Sequence, residues 1–228
     1  MLSSHVLCKV HDLHAAVDCW TRAGFVVQYG DAPERSLNAL IWFEAGPFIE
    51  LIVADRVRPP AVFRYAMQLI GRGRWLQRFE RWRAQPEGWC DLALESEGDI
   101  REPLKGFKAK GLRSFGPIPG QRTPPDGETV RTQTCFPMNP GIPFLMGAYR
   151  PDPRPSSVRH PNGATAVQSI RVAVAPEDRA ELAIPLADDD PWLVLEDGDY
   201  VVQEVVLEGL ARDLAPEEVS GARVTRVS

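Results

Sequence analysis

An α+β fold is predicted, made of two βαβββ modules in tandem, a helical insert between them and a small β-rich C-terminal segment. Two observations carry this reading. Apolar runs of strand length flank a helical period twice, once within residues 5–53 and again within 89–149. Each copy also keeps the same internal spacing. Asp12 to Gly24 and Asp99 to Gly111 are both twelve residues apart, as are Leu13 to Phe25 and Ile100 to Leu112. Two such matches in register, each flanked by strands, point to a duplicated unit. The expected boundaries are 1–56 for the first module, 57–86 for the insert, 87–150 for the second module and 151–228 for the linker and C-terminal segment.

In the first module, His5–Val10 has the length and β-branched character of a strand. Asp12 is placed to cap a helix whose apolar positions Leu13, Ala16, Val17 and Trp20 recur at helical spacing. Gly24 ends that helix. Strands follow at 25–28, 37–43 and 48–53, separated by the turn-rich stretches 30–33 and 46–47. The second module repeats the order. It has a strand at 89–94, a helix from Asp99 to Gly111 with Pro103 in its first turn, then strands near 112–115, 128–136 and 142–149. The stretch 117–127 reads as a loop, and its Asp126-Gly127 as a turn.

Between the modules, Pro60 to Arg83 carries Phe63, Met67, Ile70, Trp75, Phe79 and Trp82 as an apolar helical stripe opposite a series of arginines. Gly71 and Gly73 are expected to split it in two. Arginines and aromatics mixed in this way can suggest nucleic acid. At helical spacing in a chain of net charge -5, a packed helix with a solvated basic face is the better reading, with a lid over a site or a homodimer contact as further uses. After the Pro-rich stretch 151–157, strands are expected at 167–174, 192–195 and 200–207, with a short helix at 176–182.

Composition excludes several classes. Hydrophobic residues at 44% and charged residues at 25% are ordinary for a globular chain, which argues against disorder. No apolar run is long enough to span a membrane, and Met1–His5 lacks the basic and apolar regions of a secretory signal. The four cysteines form no C-x-x-C pair, so free thiols in a cytoplasmic protein are expected. Gly71-Arg-Gly73 is too short for a dinucleotide loop and follows no strand, and G-x-S-x-G is absent. Neither a nucleotide cofactor nor a nucleic-acid partner is expected.

The arrangement resembles the vicinal-oxygen-chelate superfamily, in its glyoxalase-like branch. The residues that carry the resemblance are His5 with the Asp12-Leu13 helix start, Gly24-Phe25, Asn38–Ile41, Phe48–Ile52, Pro125–Gly127, Ile142–Leu145 and His160–Ala164. It covers roughly residues 4 to 175. The resemblance implies that the modules close into a cup-shaped mixed sheet around one divalent metal. In that superfamily the ligands come from the first and last strands of each module. Such a metal acts as a Lewis acid on two neighbouring substrate oxygens. Mixed His and Glu donors would suit Zn, Fe, Mn, Co or Ni.

The first module keeps both ligand positions, as His5 and Glu50. In the second, Leu92 (or Trp89-Cys90, if loop lengths differ) and Gly147 fall where ligands would stand, so half the expected coordination sphere is missing. His5 is otherwise a strand histidine bonded to backbone. Glu50 without a metal is a general base whose pKa a closed cup would raise. Asn38 and Trp42 share a strand face and are candidates to bind substrate. So are Arg131 and Gln133, on a strand with one unusually polar face, where Arg131 would grip a carboxylate. An ordinary solvent face or core is the alternative for each. His11 and His14 read as exposed, and His160 as a turn-stabilising residue. The expected function is a glyoxalase-like isomerase, lyase or dioxygenase acting on a small organic metabolite. The alternative is a non-catalytic protein that binds or sequesters such a molecule with a degenerate metal site.

Overall fold

A computed structural model describes residues 1–57, 59–69, 73–124 and 127–227. The expected break at Gly71, with its neighbours Ile70 and Arg72, and the Pro125-Asp126 part of the expected turn lie outside the described residues.

The first module runs β1 (Leu2–Lys9), α1 (Leu13–Arg22), β2 (Gln28–Tyr29), β3 (Asn38–Ile41) and β4 (Phe48–Ile52). Asp12 caps α1 by accepting a hydrogen bond from the Ala15 amide. The insert supplies α2 (Ala61–Leu69), a short 3₁₀ turn at Arg74–Leu76, and α3 (Gln77–Ala84). The second module runs β5 (Gly88–Glu95), α4 (Arg101–Ala109), β6 (Ser114–Arg122), β7 (Val130–Pro137) and β8 (Phe144–Met146). The C-terminal segment adds β9 (Ala166–Val174), α5 (Arg179–Leu182), β10 (Leu193–Asp197), β11 (Val201–Glu208) and β12 (Val224–Arg226).

The two modules form one curled sheet of eight strands, in the order β2-β3-β4-β1-β5-β8-β7-β6. β1 and β5 pair antiparallel at its centre, and each pairs in parallel with the last strand of its own module. The fold is therefore α+β, with paired βαβββ modules making a cup.

β6 is the largest departure from the sequence reading, because it takes in residues 117–122, expected as loop. It is an edge strand with β7 on one side only, and prolines are tolerated there because, among the described residues, no strand pairs with its outer side. Gly116 makes this possible. Its φ is +122°, and a Cβ would stand 2.7 Å from the Thr134 carbonyl oxygen.

Each face of the curled sheet has its own cover. α1 and a second, four-stranded sheet (β10-β9-β11-β12) pack against the convex face, in one apolar core that includes Val6, Cys8, Ile49, Leu92, Ile170 and Val205. The C-terminal segment thus has no separate core. The insert packs into the concave face. Trp75, Leu76, Phe79 and Trp82 are buried there against Leu7, Ala93, Phe136 and Phe144, with Phe63 and Met67 of α2 half-buried beside them.

The arginines of the insert depart from a uniformly solvated face. Arg78 is fully buried and donates to Asp91 at 2.5 Å. Arg81, Trp82 and Tyr200 also donate to Asp91, at 3.1, 2.7 and 2.8 Å. One carboxylate on β5 therefore joins the insert, the cup and the C-terminal sheet. Burial alone would raise its pKa, but the Arg78 and Arg81 charges and these hydrogen bonds hold it below the ordinary aspartate value.

Candidate functional site

The concave face encloses a cavity of about 360 Å³. The period-two alternation of β1 turns His5 and Leu7 inward, and that of β3 and β4 brings Asn38, Leu40, Glu50 and Ile52 to the same wall. Phe79 and Trp82 of α3 line it from the insert. The second module contributes Arg122, Thr132, Thr134, Phe136, Phe144, Met146 and Tyr149. Most of the lining is apolar, as in small-molecule sites generally, with a polar cluster at the end that carries Glu50.

At that end, His5 Nε2 lies 3.2 Å from Glu50 Oε2. Asn38 Nδ2 donates to Glu50 Oε1 at 2.7 Å. Phe48 stacks on the His5 imidazole at 4.6 Å, and Phe144 meets it edge-on at 5.7 Å. The other imidazole nitrogen, Nδ1, lies 3.2 Å from Ser4 Oγ, which donates to Glu95 Oε2 at 2.6 Å. Glu95 is paired in turn with Arg154 at 3.1 Å. A polar chain thus runs from Arg154 at the rim to Asn38 in the cup.

Glu50 is only 13% exposed. Burial pushes its pKa up, but hydrogen bonding and charge from His5, the Asn38 amide and the Arg122 charge outweigh it, holding the carboxyl below the ordinary glutamate value of 4.5. The direction is opposite to the rise expected from a closed cup alone. Glu50 is ionised at neutral pH, and burial also pushes the Tyr149 hydroxyl up, so Tyr149 stays a neutral donor.

The other sequence candidates fall elsewhere. Trp42 lies behind the wall, with its ring 4.2 Å from Phe48 and its Nε1 donating to Gln28, so it supports the lining without forming it. Arg131 and Gln133 project from the opposite face of β7, into an outer cleft shared with Asp99, Gly147 and Arg150. Gln133, with its amide turned to satisfy its neighbours, donates to Asp99 Oδ1 at 2.8 Å and accepts from Arg101. The cavity-facing residues of β7 are Val130, Thr132, Thr134 and Phe136. His11 and His14 are exposed, on Asp55 and Tyr29 respectively. His160 accepts from the Val26 amide through Nδ1 and reaches the Trp42 carbonyl through Nε2, a structural staple outside the cup.

Arg122, Thr132, Thr134 and Tyr149 are cup residues that sequence reasoning missed, Arg122 because its segment reads as a loop.

The two missing-ligand positions also shift by one residue. Ala93, not Leu92, pairs with His5 and packs on the concave side, and Met146, not Gly147, lines the cavity. Neither gives a metal a hard donor. Among the described residues, no three His, Cys, Asp or Glu side chains gather where they could hold an ion. Tightly held protein metal sites draw on three or four side-chain donors. His5 and Glu50 supply two, so the donor set does not fit a resident divalent metal.

The family model described as the glyoxalase-like domain matches residues 4–185. This chain belongs to the glyoxalase-like domain family. Its fold is that of the vicinal-oxygen-chelate superfamily. Two solved structures show the likeness at low identity. A hypothetical protein from Staphylococcus aureus is 13% identical and superposes with a TM-score of 0.64 over 99% of both chains. The Mn(II)-bound glyoxalase from Novosphingobium aromaticivorans is 12% identical, with a TM-score of 0.53 over 91% of this chain and 65% of its own length. No curated protein matches the chain. No helix among the described residues of this glyoxalase-like chain is long and apolar enough to cross a membrane.

Proposed function

We propose that this glyoxalase-like protein acts on a small organic metabolite held in the cup, with Glu50 as the proton-accepting carboxylate. The observation that supports this is the His5–Glu50–Asn38 cluster, a fixed and ionised carboxylate on the wall of a mostly apolar cavity. A carboxylate there needs no prior deprotonation and has unshared lone pairs facing the cavity. Asn38 and His5 are positioning residues. They fix the two oxygens, and His5 sits where it can return a proton to the substrate. Removal of a proton next to a carbonyl, and its return elsewhere, suits an isomerase or lyase and needs no third protein ligand.

The test is deuterium exchange in D₂O with small carbonyl compounds carrying aryl or alkyl tails, read by NMR at the carbon next to the carbonyl. Wild type should incorporate deuterium, and Glu50→Gln should lose roughly 10²-fold or more of that rate. His14→Ala, which leaves the cup untouched, should change nothing.

A second reading is non-catalytic binding, favoured by the apolar wall that Ala93, Phe144 and Met146 give the second module. It gains if the same compounds raise the melting temperature of both proteins equally and neither exchanges deuterium.

A further inference from the structure

Arg122 ends β6, the edge strand that closes the cup opposite the His5–Glu50 cluster. Its guanidinium lies 5.8 Å over the Tyr149 ring, which holds it against the wall. Both terminal nitrogens, Nη1 and Nη2, are shielded from solvent and have no hydrogen-bond partner among the described residues. A buried charge left this way is costly, because the donors that water would satisfy find nothing. Arg78 and Arg81 differ, because only their Nε atoms lack a partner. Arg78 and Arg81 both reach Asp91 and a backbone carbonyl. Arg122 shares a cavity with Glu50 and still forms no ion pair with it.

We infer that Arg122 is the anion-recognition residue of the cup, and that its ligand is a monocarboxylate with an apolar body. This rests on the reading of the cup as the binding site. The two terminal nitrogens form the fork that a carboxylate matches with two parallel hydrogen bonds. The lining includes Val130, Phe136, Phe144 and Met146, which suit an alkyl or aryl group. Charge selects the monoanion. Arg122 is the one Arg or Lys among the described lining residues, beside the Glu50 carboxylate, so the second charge of a phosphate dianion would find no arginine and would face Glu50. Binding would also act on Glu50, because a carboxylate on Arg122 withdraws one of the charges that keep Glu50 ionised. Substrate would thereby raise the proton affinity of the base as it docks.

The experiment compares benzoate, phenylacetate and hexanoate with their carboxamides and with phenyl phosphate, by calorimetry on wild type, Arg122→Gln and Arg131→Gln. At least one acid should bind wild type ~10-fold or more tightly than its amide, the scale of a charge-assisted pair. Arg122→Gln should erase that preference while still binding the amide, which shows the cup intact. Arg131→Gln, whose side chain lies in the outer cleft, should keep it. Equal binding of acid and amide by wild type, a preference that survives Arg122→Gln, or tighter binding of phenyl phosphate would each overturn the assignment of a carboxylate to Arg122. If amides bind in a Glu50-dependent way while acids gain nothing, the cup reading stands and the anion site falls. If no compound binds, both fall.

Discussion

Ser4 Oγ donates its one proton to Glu95 Oε2 at 2.6 Å, so toward His5 the same oxygen can only accept. His5 Nδ1 must then carry a hydrogen, and Nε2, 3.2 Å from Glu50 Oε2, must carry a second one to donate to that carboxylate. Two buried groups without contact to each other, Glu95 and Glu50, are thereby linked through one imidazole. In ¹⁵N NMR of His5, Nδ1 should show the shift of a hydrogen-bearing nitrogen. Ser4→Ala, which removes its acceptor, should move that signal and lower any Glu50-dependent exchange, with Glu50→Gln as the reference for full loss. An unchanged His5 spectrum in Ser4→Ala would mean that the Ser4 hydroxyl does not set the ring.

Metal content follows from the same geometry. Among the described residues, His5 and Glu50 are the His, Cys, Asp or Glu side chains that line the cup, and Asn38 already occupies Glu50 Oε1. Protein purified without chelator should carry no stoichiometric divalent metal. Addition of Zn, Fe, Mn, Co or Ni should shift the melting temperature of wild type and Glu50→Gln alike. Elemental analysis and thermal unfolding across these ions test this together. A stoichiometric metal in wild type that Glu50→Gln loses would return the site to the metal-dependent chemistry that the superfamily resemblance implies.

How much of the site was legible in the sequence follows from strand parity. His5 and Glu50 could be placed together because they fall where the superfamily resemblance puts ligands, and alternation on β3 and β4 then carries Asn38 and Ile52 to the same wall. On β7 the alternation was equally clear, but alternation does not say which face is inside. Threonines and valine face the cavity, and Arg131 and Gln133 face out. On β5 the parity itself changes. The register against β1 shifts between Leu7 and Cys8, so one extra residue of β5 flips the face and brings Ala93, not Leu92, opposite His5. Arg122 was hidden for a different reason. Pro117, Pro119 and Gly120 are loop formers by composition, and only an edge position next to β7 makes a strand of them.

Asp91 has a strongly perturbed environment without lining the cavity, and a structural role is expected of it. Removing its charge strands Arg78, which is as fully buried as Asp91 itself. Asp91→Asn should therefore destabilise the protein by about 3–5 kcal/mol. Tyr200→Phe, which removes one neutral donor and leaves the ion pair, should cost about 1 kcal/mol. Denaturant unfolding measures both. A loss of activity in Asp91→Asn at unchanged stability would instead place Asp91 in the chemistry.

The pH dependence of stability distinguishes a lowered Glu50 pKa from a raised one by sign. With the folded value below 4.5, the unfolded chain takes up the proton first as pH falls. The contribution of Glu50 is then complete above pH 4.5 and is lost as pH drops through the lower folded value. Gln at this position does not titrate. The stability difference between wild type and Glu50→Gln should therefore be flat from neutral pH down to the region of pH 5, then shrink on further acidification. A carboxyl raised by burial would do the reverse, costing stability while ionised and giving wild type a relative gain as pH falls through the raised value. Denaturant titrations of both proteins between pH 3 and pH 7 read the slope directly. A difference that grows on acidification would mean that desolvation outweighs His5, Asn38 and Arg122 together. Glu50 would then be a protonated acid waiting to donate, not a base ready to accept.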